Sequence, residues 1–374
     1  MGKRTEFLYL DEDDMIKAGV LDSEACVNTL DEMFQLLGKG DYIMGGANHN
    51  EHGIMITFPD NPQFEGMPAN GPDRRFMAMV AYLGGRFKVC GEKWYGSNII
   101  NPSRGLPRSV LMVMLNDPDT CEPIALCSGN LISAVRTGSV PGVGVRYLAR
   151  KDAEVCSVIG AGPIQRACFQ GIMVDAKNVK KLVIYDIKPE AAEAFGQWAK
   201  ETYHVEPVIA ASSDEAVSAG DIISVAASRP KPVEIKNECL KKGSTILFTG
   251  AATIDPAYLT DCKVFFDNAK MHEAYMEEAH NDPAGVEAAY KNKMGSSIYR
   301  LIDQGKLPPV TEIPSLGDVA CGKIPGRTSD EDRICMMTGG MPVEDVAWAY
   351  ELYTRAKEMG LGIKLKIWDS PHWS

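Results

Sequence analysis

The chain has 374 residues, 45% apolar and 24% charged, with 39 basic against 50 acidic side chains and a net charge of −11. At about 150 residues per domain this is roughly two to three domains with a sizeable core, and disorder as the main state is excluded. The acidic balance argues against nucleic-acid or anionic-membrane binding, which needs clustered lysine and arginine.

No apolar run reaches the roughly 18–20 residues of a membrane span, and Met1–Phe7 lacks the apolar core of a secretion signal. The ten cysteines are scattered with no CxxC pair, which speaks against zinc and thioredoxin-type sites and suits a reducing cytoplasm. Cytoplasmic placement is therefore expected.

In chain order, Cys26, Leu30, Met33, Phe34 and Leu37 recur at helical spacing, and Gly38, Gly40 and Asp41 stop that helix. Short apolar runs follow at Ile54–Phe58, Met77–Leu83 and Ser109–Leu115, between Gly, Pro and Asn clusters, and read as sheet strands. A helix is expected over about 129–138, then Val140–Ala149, with Pro141 as a start or kink. From about 153 the rhythm changes. Apolar runs at Val155–Ile159, Lys181–Asp186, Pro207–Ala210, Asp221–Ala227, Thr245–Thr249 and Val264–Asn268 alternate with helical stretches to about Ala176, over Pro189–Glu201 and over Asp214–Ala219. Strand–helix alternation implies a parallel, doubly wound sheet. A last helix spans Val343–Met359 and is expected to return to the first domain. The expected fold is thus α/β, a Rossmann-type doubly wound parallel sheet (131–327) inserted into a smaller α+β domain (1–130 plus 328–374).

The junction Ile159-Gly160-Ala161-Gly162-Pro163-Ile164-Gln165 follows a strand and opens a helix. Gly160 and Gly162 suit a tight turn and close approach to a pyrophosphate, which the helix N-terminus favours. The third glycine of the usual fingerprint is Gln165 here. Asp186 ends the next strand, 24 positions after Gly162 and near the spacing of a carboxylate that holds a ribose diol. With Ile187 next and no arginine ready for a 2′-phosphate, NAD is expected over NADP; Lys188 is the nearest cation.

Over most of its length the chain resembles the ornithine cyclodeaminase/mu-crystallin family. The resemblance runs through Phe7–Leu10, Phe87-Lys88-Val89, Gly105-Leu106-Pro107, Asp117-Pro118, Glu122–Leu126, Leu131–Thr137, Tyr147–Arg150, the Gly160 loop, Gly326-Arg327 and Glu344–Ala347. It implies a homodimer, a sheet domain that binds substrate and pairs subunits, and an NAD(P)-binding domain contacted at Gly160, Gly162, Pro163, Ile164, Gln165, Asp186, Ala226, Thr249 and Gly250. It also implies chemistry at the C–N bond of an amino or imino acid: dehydrogenation, ketimine reduction or opine-like reductive amination. Ornithine-cyclodeaminase-type ring formation and mu-crystallin-like binding without turnover are the alternatives.

Carried over residue by residue, the resemblance makes Lys88 the lysine that exchanges a proton with the substrate, and Arg136 the clamp on its carboxylate. Glu51-His52-Gly53 stands where the family usually has a second arginine. His52 or Glu51 could face the substrate there. Arg108, after Gly-Leu-Pro, either compensates, recognises a second acidic group, or is an exposed strand-start arginine. The cyclodeaminase aspartate falls on Ala252, while Asp255 reads as the cap of a short helix Pro256–Leu259, which counts against cyclodeamination. Lys93, Trp94 and Tyr95 are expected to line the pocket wall or simply to pack. His49 and His52 read as polar loop residues without a third ligand, so no metal is expected. His272 and His280 are expected on a helix surface.

Overall fold

The computed structural model describes residues 3–228, 231–291 and 293–373. The chain forms two compact units, one of residues 1–22, 41–136 and 341–374, the other of 23–40 and 137–340. The division differs from the expected one in three places, the first being that residues 131–136 fall in the first unit. The helix Ser23–Lys39 belongs with the parallel-sheet unit, and that unit runs on to Gly340, because the strand Ile334–Met337 lies inside its sheet between Thr245–Phe248 and Lys263–Phe266. That strand is not among those expected from the sequence; like Thr245–Phe248 it is four residues long and fully buried.

In the first unit the sheet order is Ile363–Trp368, Thr5–Leu10, Pro123–Ser128, Ser109–Asn116, Val89–Ser97, Arg75–Leu83, Tyr42–Met44, with Ile54–Thr57 also pairing to Arg75–Leu83. All pairs are antiparallel except Thr5–Leu10 with Pro123–Ser128. Strand residues alternate between faces. Most odd-numbered residues of the strands Arg75–Leu83, Val89–Ser97 and Ser109–Asn116, among them Met77, Met79, Val113 and Leu115, are buried. The closing helix Pro342–Met359 covers this face; a Cβ on Gly91 would meet Val346 at 3.0 Å. The helix is capped by Gly360 in the left-handed region and carries Glu344 and Asp345 in its first turn.

The second unit holds seven parallel strands in the order Glu206–Ile209, Lys181–Tyr185, Val155–Ile159, Ile222–Val225, Thr245–Phe248, Ile334–Met337, Lys263–Phe266. The helix Asn130–Leu148 runs on through Pro141, so no second helix starts there. Within the second unit this helix lies against Pro163–Asp175 closely enough that a Cβ on Gly138 would stand 2.4 Å from the Ala167 carbonyl oxygen. Only glycine allows that approach.

His272 departs from its expected surface position and is fully buried. Its ring nitrogens meet the Tyr299 hydroxyl at 2.6 Å and Asp267 Oδ1 at 3.0 Å, and its ring stacks on Phe266. Asp267 Oδ2 in turn accepts the Gly339 and Gly340 N–H groups at 2.6 and 3.0 Å. Burial alone would raise the Asp267 carboxyl; the His272 bond and the two glycine N–H groups hold it below its ordinary value.

Candidate active site

In the second unit the strand Val155–Ile159 ends at Gly160, whose φ of +98° is a conformation other residues rarely adopt. The Gly160 N–H donates to the Tyr185 carbonyl (2.8 Å), and a Cβ there would press on the Ala226 carbonyl oxygen at 3.0 Å. Gly162 is the N-cap of the helix Pro163–Asp175 and caps it with no side chain, so the first-turn N–H groups are left for a ligand. A Cβ on Gly162 would meet nothing within 4 Å. Asp186 Oδ2 accepts the Ala161 N–H at 2.7 Å and Oδ1 the Lys188 N–H at 2.9 Å, which fixes the carboxylate beside the glycine loop. The Thr249 and Gly250 N–H groups both bond the Val225 carbonyl (2.9 and 3.0 Å), and the Ala226 N–H bonds the Ile159 carbonyl. Ala226, Thr249 and Gly250 therefore stand at the C-terminal ends of adjacent parallel strands, where open α/β sheets bind ligands. An open cleft of about 570 Å³ adjoins Ile187, with Ser212, Asp214, Lys231 and Lys236 among its walls.

The side chain of Gln165 is fully buried; Nε2 donates to Ser224 Oγ at 2.8 Å and ties the helix to the sheet, which leaves its backbone N–H, in the first turn, to face a ligand. The bare glycine cradle, the open helix end and the fixed Asp186 carboxylate fit the pyrophosphate and ribose of a dinucleotide.

In the first unit the structure rearranges the candidates. Lys88 is exposed. It lies in the turn between Arg75–Leu83 and Val89–Ser97 with φ +38°, its side chain 60% exposed and paired to the equally exposed Asp119 at 2.6 Å. The hydrogen bond to Asp119 raises its pKa, so it stays an ordinary cation. The lysine brought to Arg136 is Lys93, opposite Met79 and Val113 on the buried face. Lys93 is 3% exposed; Nζ donates to Asp345 Oδ2 at 2.8 Å and to Ser133 Oγ at 3.4 Å, and lies 5.6 Å from the Tyr95 ring centroid. Arg136 Nε donates to Asp345 Oδ1 at 3.1 Å, and Nη1 to Glu344 Oε2. Two cations and two carboxylates thus meet almost without solvent. Desolvation first, then the neighbouring Arg136, push the Lys93 ammonium down to about 8, against the pull of Asp345. Burial lowers Arg136, but Asp345 and Glu344 outweigh it and keep the guanidinium charged throughout the accessible range. The cluster pairs a permanent cation with a lysine that can give up its proton near neutrality.

Arg108 is half-exposed and donates through Nε to Asp73 Oδ2 at 2.5 Å, sharing that carboxylate with Arg75. His52 lies half-buried in the loop between Tyr42–Met44 and Ile54–Thr57, where the adjoining Gly53 packs on the Ala78 carbonyl. Asp255 caps the helix Pro256–Leu259, its Oδ1 accepting the Ala257 N–H at 2.8 Å, and Ala252 opens the short strand Ala252–Ile254. Sequence reasoning did not bring Lys93 and Asp345 together. The signal lay only partly in the sequence: Lys93 holds an odd-numbered position in its strand, but the strand pairing is what shows that this face is inward, and Asp345 follows Glu344 in the first turn of its helix.

A glycine-cradle dinucleotide fold, joined in one chain to a sheet unit that buries a lysine and an arginine against acids, defines a class of two-unit nucleotide-dependent enzymes. The chain belongs to the ornithine cyclodeaminase/mu-crystallin family, whose model matches residues 21–360. It is 27% identical over 368 residues to the N-((2S)-2-amino-2-carboxyethyl)-L-glutamate dehydrogenase of Staphylococcus aureus, spanning 97% of this chain and 99% of that one. It is 29% identical over 287 residues to the iminosuccinate reductase of Paracoccus denitrificans, spanning 75% and 81%. Its fold is shared with the Thermococcus litoralis Delta(1)-pyrroline-2-carboxylate reductase solved in complex with NADH and L-proline, at 24% identity and a TM-score of 0.76 over 96% and 99% of the two chains.

Proposed function

We propose that the protein is an NAD-dependent oxidoreductase acting on the C–N bond of an amino or imino acid. The observation that carries this reading is the buried Lys93 beside Arg136 and Asp345. Bound NADH supplies the hydride; Gly160, Gly162, the first turn of the Pro163–Asp175 helix and Asp186 would hold it. The chain's own residues do the rest. Arg136, always charged and clamped by Glu344 and Asp345, binds the substrate carboxylate. Lys93 Nζ holds a proton for the substrate nitrogen and regains it through Asp345, a role its lowered pKa suits. Asp186 accepts from a ribose diol and repels a 2′-phosphate, which favours NAD over NADP.

Ring-forming cyclodeamination is the weaker reading. Ala252 offers no carboxylate, and Asp255 is committed to capping its helix. The even-numbered outer face of the sheet supports a homodimer. Phe76 stacks on Trp94, and Val80, Val110 and Met112 around them are 43, 52 and 43% exposed. A related fold is that of an archaeal alanine dehydrogenase dimer. Among the described residues no helix is long and apolar enough to cross a membrane, and all ten cysteines are free thiols, which suits a reducing cytoplasm.

The test is NADH oxidation with a panel of keto acids (pyruvate, glyoxylate, oxaloacetate, 2-oxoglutarate), each with ammonia or an amino acid. Oxidation that needs both carbonyl and amine supports the proposal. Ammonia release from ornithine without net NADH change would replace it with the lyase reading, and tight NADH binding without turnover with the binder.

A further inference from the structure

We propose that the substrate carries a second carboxylate, held by Arg75 and Arg108 over Asp73. This rests on the reading above for the place of the first carboxylate, and it adds the class of acid that the site selects.

Lys93, Tyr95 and Ser97 follow one another on the inner face of a single strand, flanked by Met79, Met77 and Arg75 on one side and by Val113, Leu111 and Ser109 on the other. At the far end of this row from Arg136 stands a second cationic group. Asp73 has φ +56° and a side chain only 9% exposed. Its carboxylate accepts from Arg75 Nη1, from Arg108 Nε and from Ser97 Oγ, and Ser109 Oγ in turn donates to Ser97 Oγ at 3.0 Å. Two guanidinium groups share one carboxylate, so the cluster carries one uncompensated positive charge. The Lys93, Arg136, Glu344 and Asp345 cluster is balanced. Arg75 Nε is moreover buried with no acceptor among the described residues. A buried donor without an acceptor is costly. A surface ion pair would need no second arginine, whereas an incoming anion answers the surplus charge through the exposed parts of the two guanidinium groups, 36% and 48% of whose side chains are open.

The spacing sets the ligand. Lys93 Nζ lies 5.6 Å and Arg75 Cζ 5.9 Å from the Tyr95 ring centroid, so the two cations stand no more than about 11.5 Å apart. With the substrate nitrogen at hydrogen-bond distance from Lys93 and the second carboxylate at that distance from Arg75, at most roughly 5 Å remains between them. That bounds the reach from the nitrogen to the far acid, and fits an amino or imino dicarboxylic acid with two or three carbons between its acid groups. Met77, Leu111 and the Tyr95 ring supply an apolar wall for those carbons. Asp73 acts as a positioning residue, since it fixes both guanidinium groups and touches no substrate.

The test is isothermal titration of the full-length NADH-loaded protein with unreactive probes, succinate and glutarate against butyrate and valerate. The wild type should bind the diacids about 10- to 100-fold more tightly, the worth of one charge-assisted pair. Arg75→Met should bring that ratio close to one, Arg75→Lys should restore part of it, and Arg108→Gln should lower it. Arg108 is exposed enough that its replacement keeps the test available if Arg75→Met does not fold. Equal binding of mono- and diacids by the wild type, or variants that weaken both alike, would overturn the proposal. Selective diacid binding without NADH oxidation by any carbonyl–amine pair would leave the subsite standing and remove the redox reading. Turnover of monocarboxylic imines without diacid preference would do the reverse.

Discussion

Replacing Lys93 by methionine separates the proposed proton donor from everything else in the site. Methionine is close in length and apolar, so the buried space stays filled. What is lost is the 2.8 Å bond to Asp345 and one of the two positive charges that face Glu344 and Asp345. Removing one partner of a buried ion pair costs about 3–5 kcal/mol. The low end, about 3 kcal/mol, applies here, because Arg136 still bonds Asp345 and because Lys93 is itself poorly solvated. Denaturant unfolding should show that loss, and Lys93→Met combined with Asp345→Asn should recover part of it, with a coupling of about 1–3 kcal/mol. Turnover should fall about 10²- to 10⁴-fold, the usual worth of a general acid. NADH affinity, read by fluorescence titration, should stay near that of the wild type. Lys88→Ala, which breaks only an exposed pair with Asp119, should leave turnover unchanged. Turnover of Lys93→Met within about tenfold of wild type, or an equal collapse in Lys88→Ala, would refute the reasoning.

The same lysine predicts the pH profile. With its ammonium pushed down to about 8, reductive kcat/KM should fall as pH rises through about 8 and the reverse reaction should rise; a flat profile between pH 7 and 9 would exclude Lys93 as the acid. Its linkage to stability has the same origin. The unfolded lysine holds its proton to about 10.5, so between about 8 and 10.5 the unfolded chain binds more protons and this group's contribution to stability grows with pH. Asp186→Ala should weaken NADH binding about tenfold by removing a charged acceptor for the ribose diol, and should narrow the gap to NADPH in paired titrations. Asp267→Ala should cost about 3–5 kcal/mol, since it strips the fully buried His272 of its acid and orphans the Gly339 and Gly340 N–H groups. Wild-type stability should correspondingly drop as acid titrates Asp267, whose folded pKa lies below the ordinary 3.8.

The sequence determined the local and periodic features. The Gly160–Gly162 turn, the acid that ends the second parallel strand, the helical spacing of Cys26–Leu37 and the cap at Asp255 are set by neighbours within a few residues, and all were legible. Tertiary structure decided what depends on register and on partners far along the chain. Lys88 and Lys93 are five positions apart in one hairpin, and only the strand pairing shows that the turn ends after Lys88 and that Lys93 faces inward opposite Met79. The acids that tune it, Glu344 and Asp345, arrive from a helix some 250 residues later, so no window of sequence contains the cluster. The edge strand Ile363–Trp368 and the interior strand Ile334–Met337 likewise needed their neighbours: one is exposed along its whole length, the other buried along its whole length, and neither pattern alone marks a strand. His272 illustrates the same limit. Its helix was readable, but whether a histidine there meets water or the Asp267–Tyr299 pair is fixed by long-range packing, which puts a titratable group where its sequence neighbours give no sign of burial.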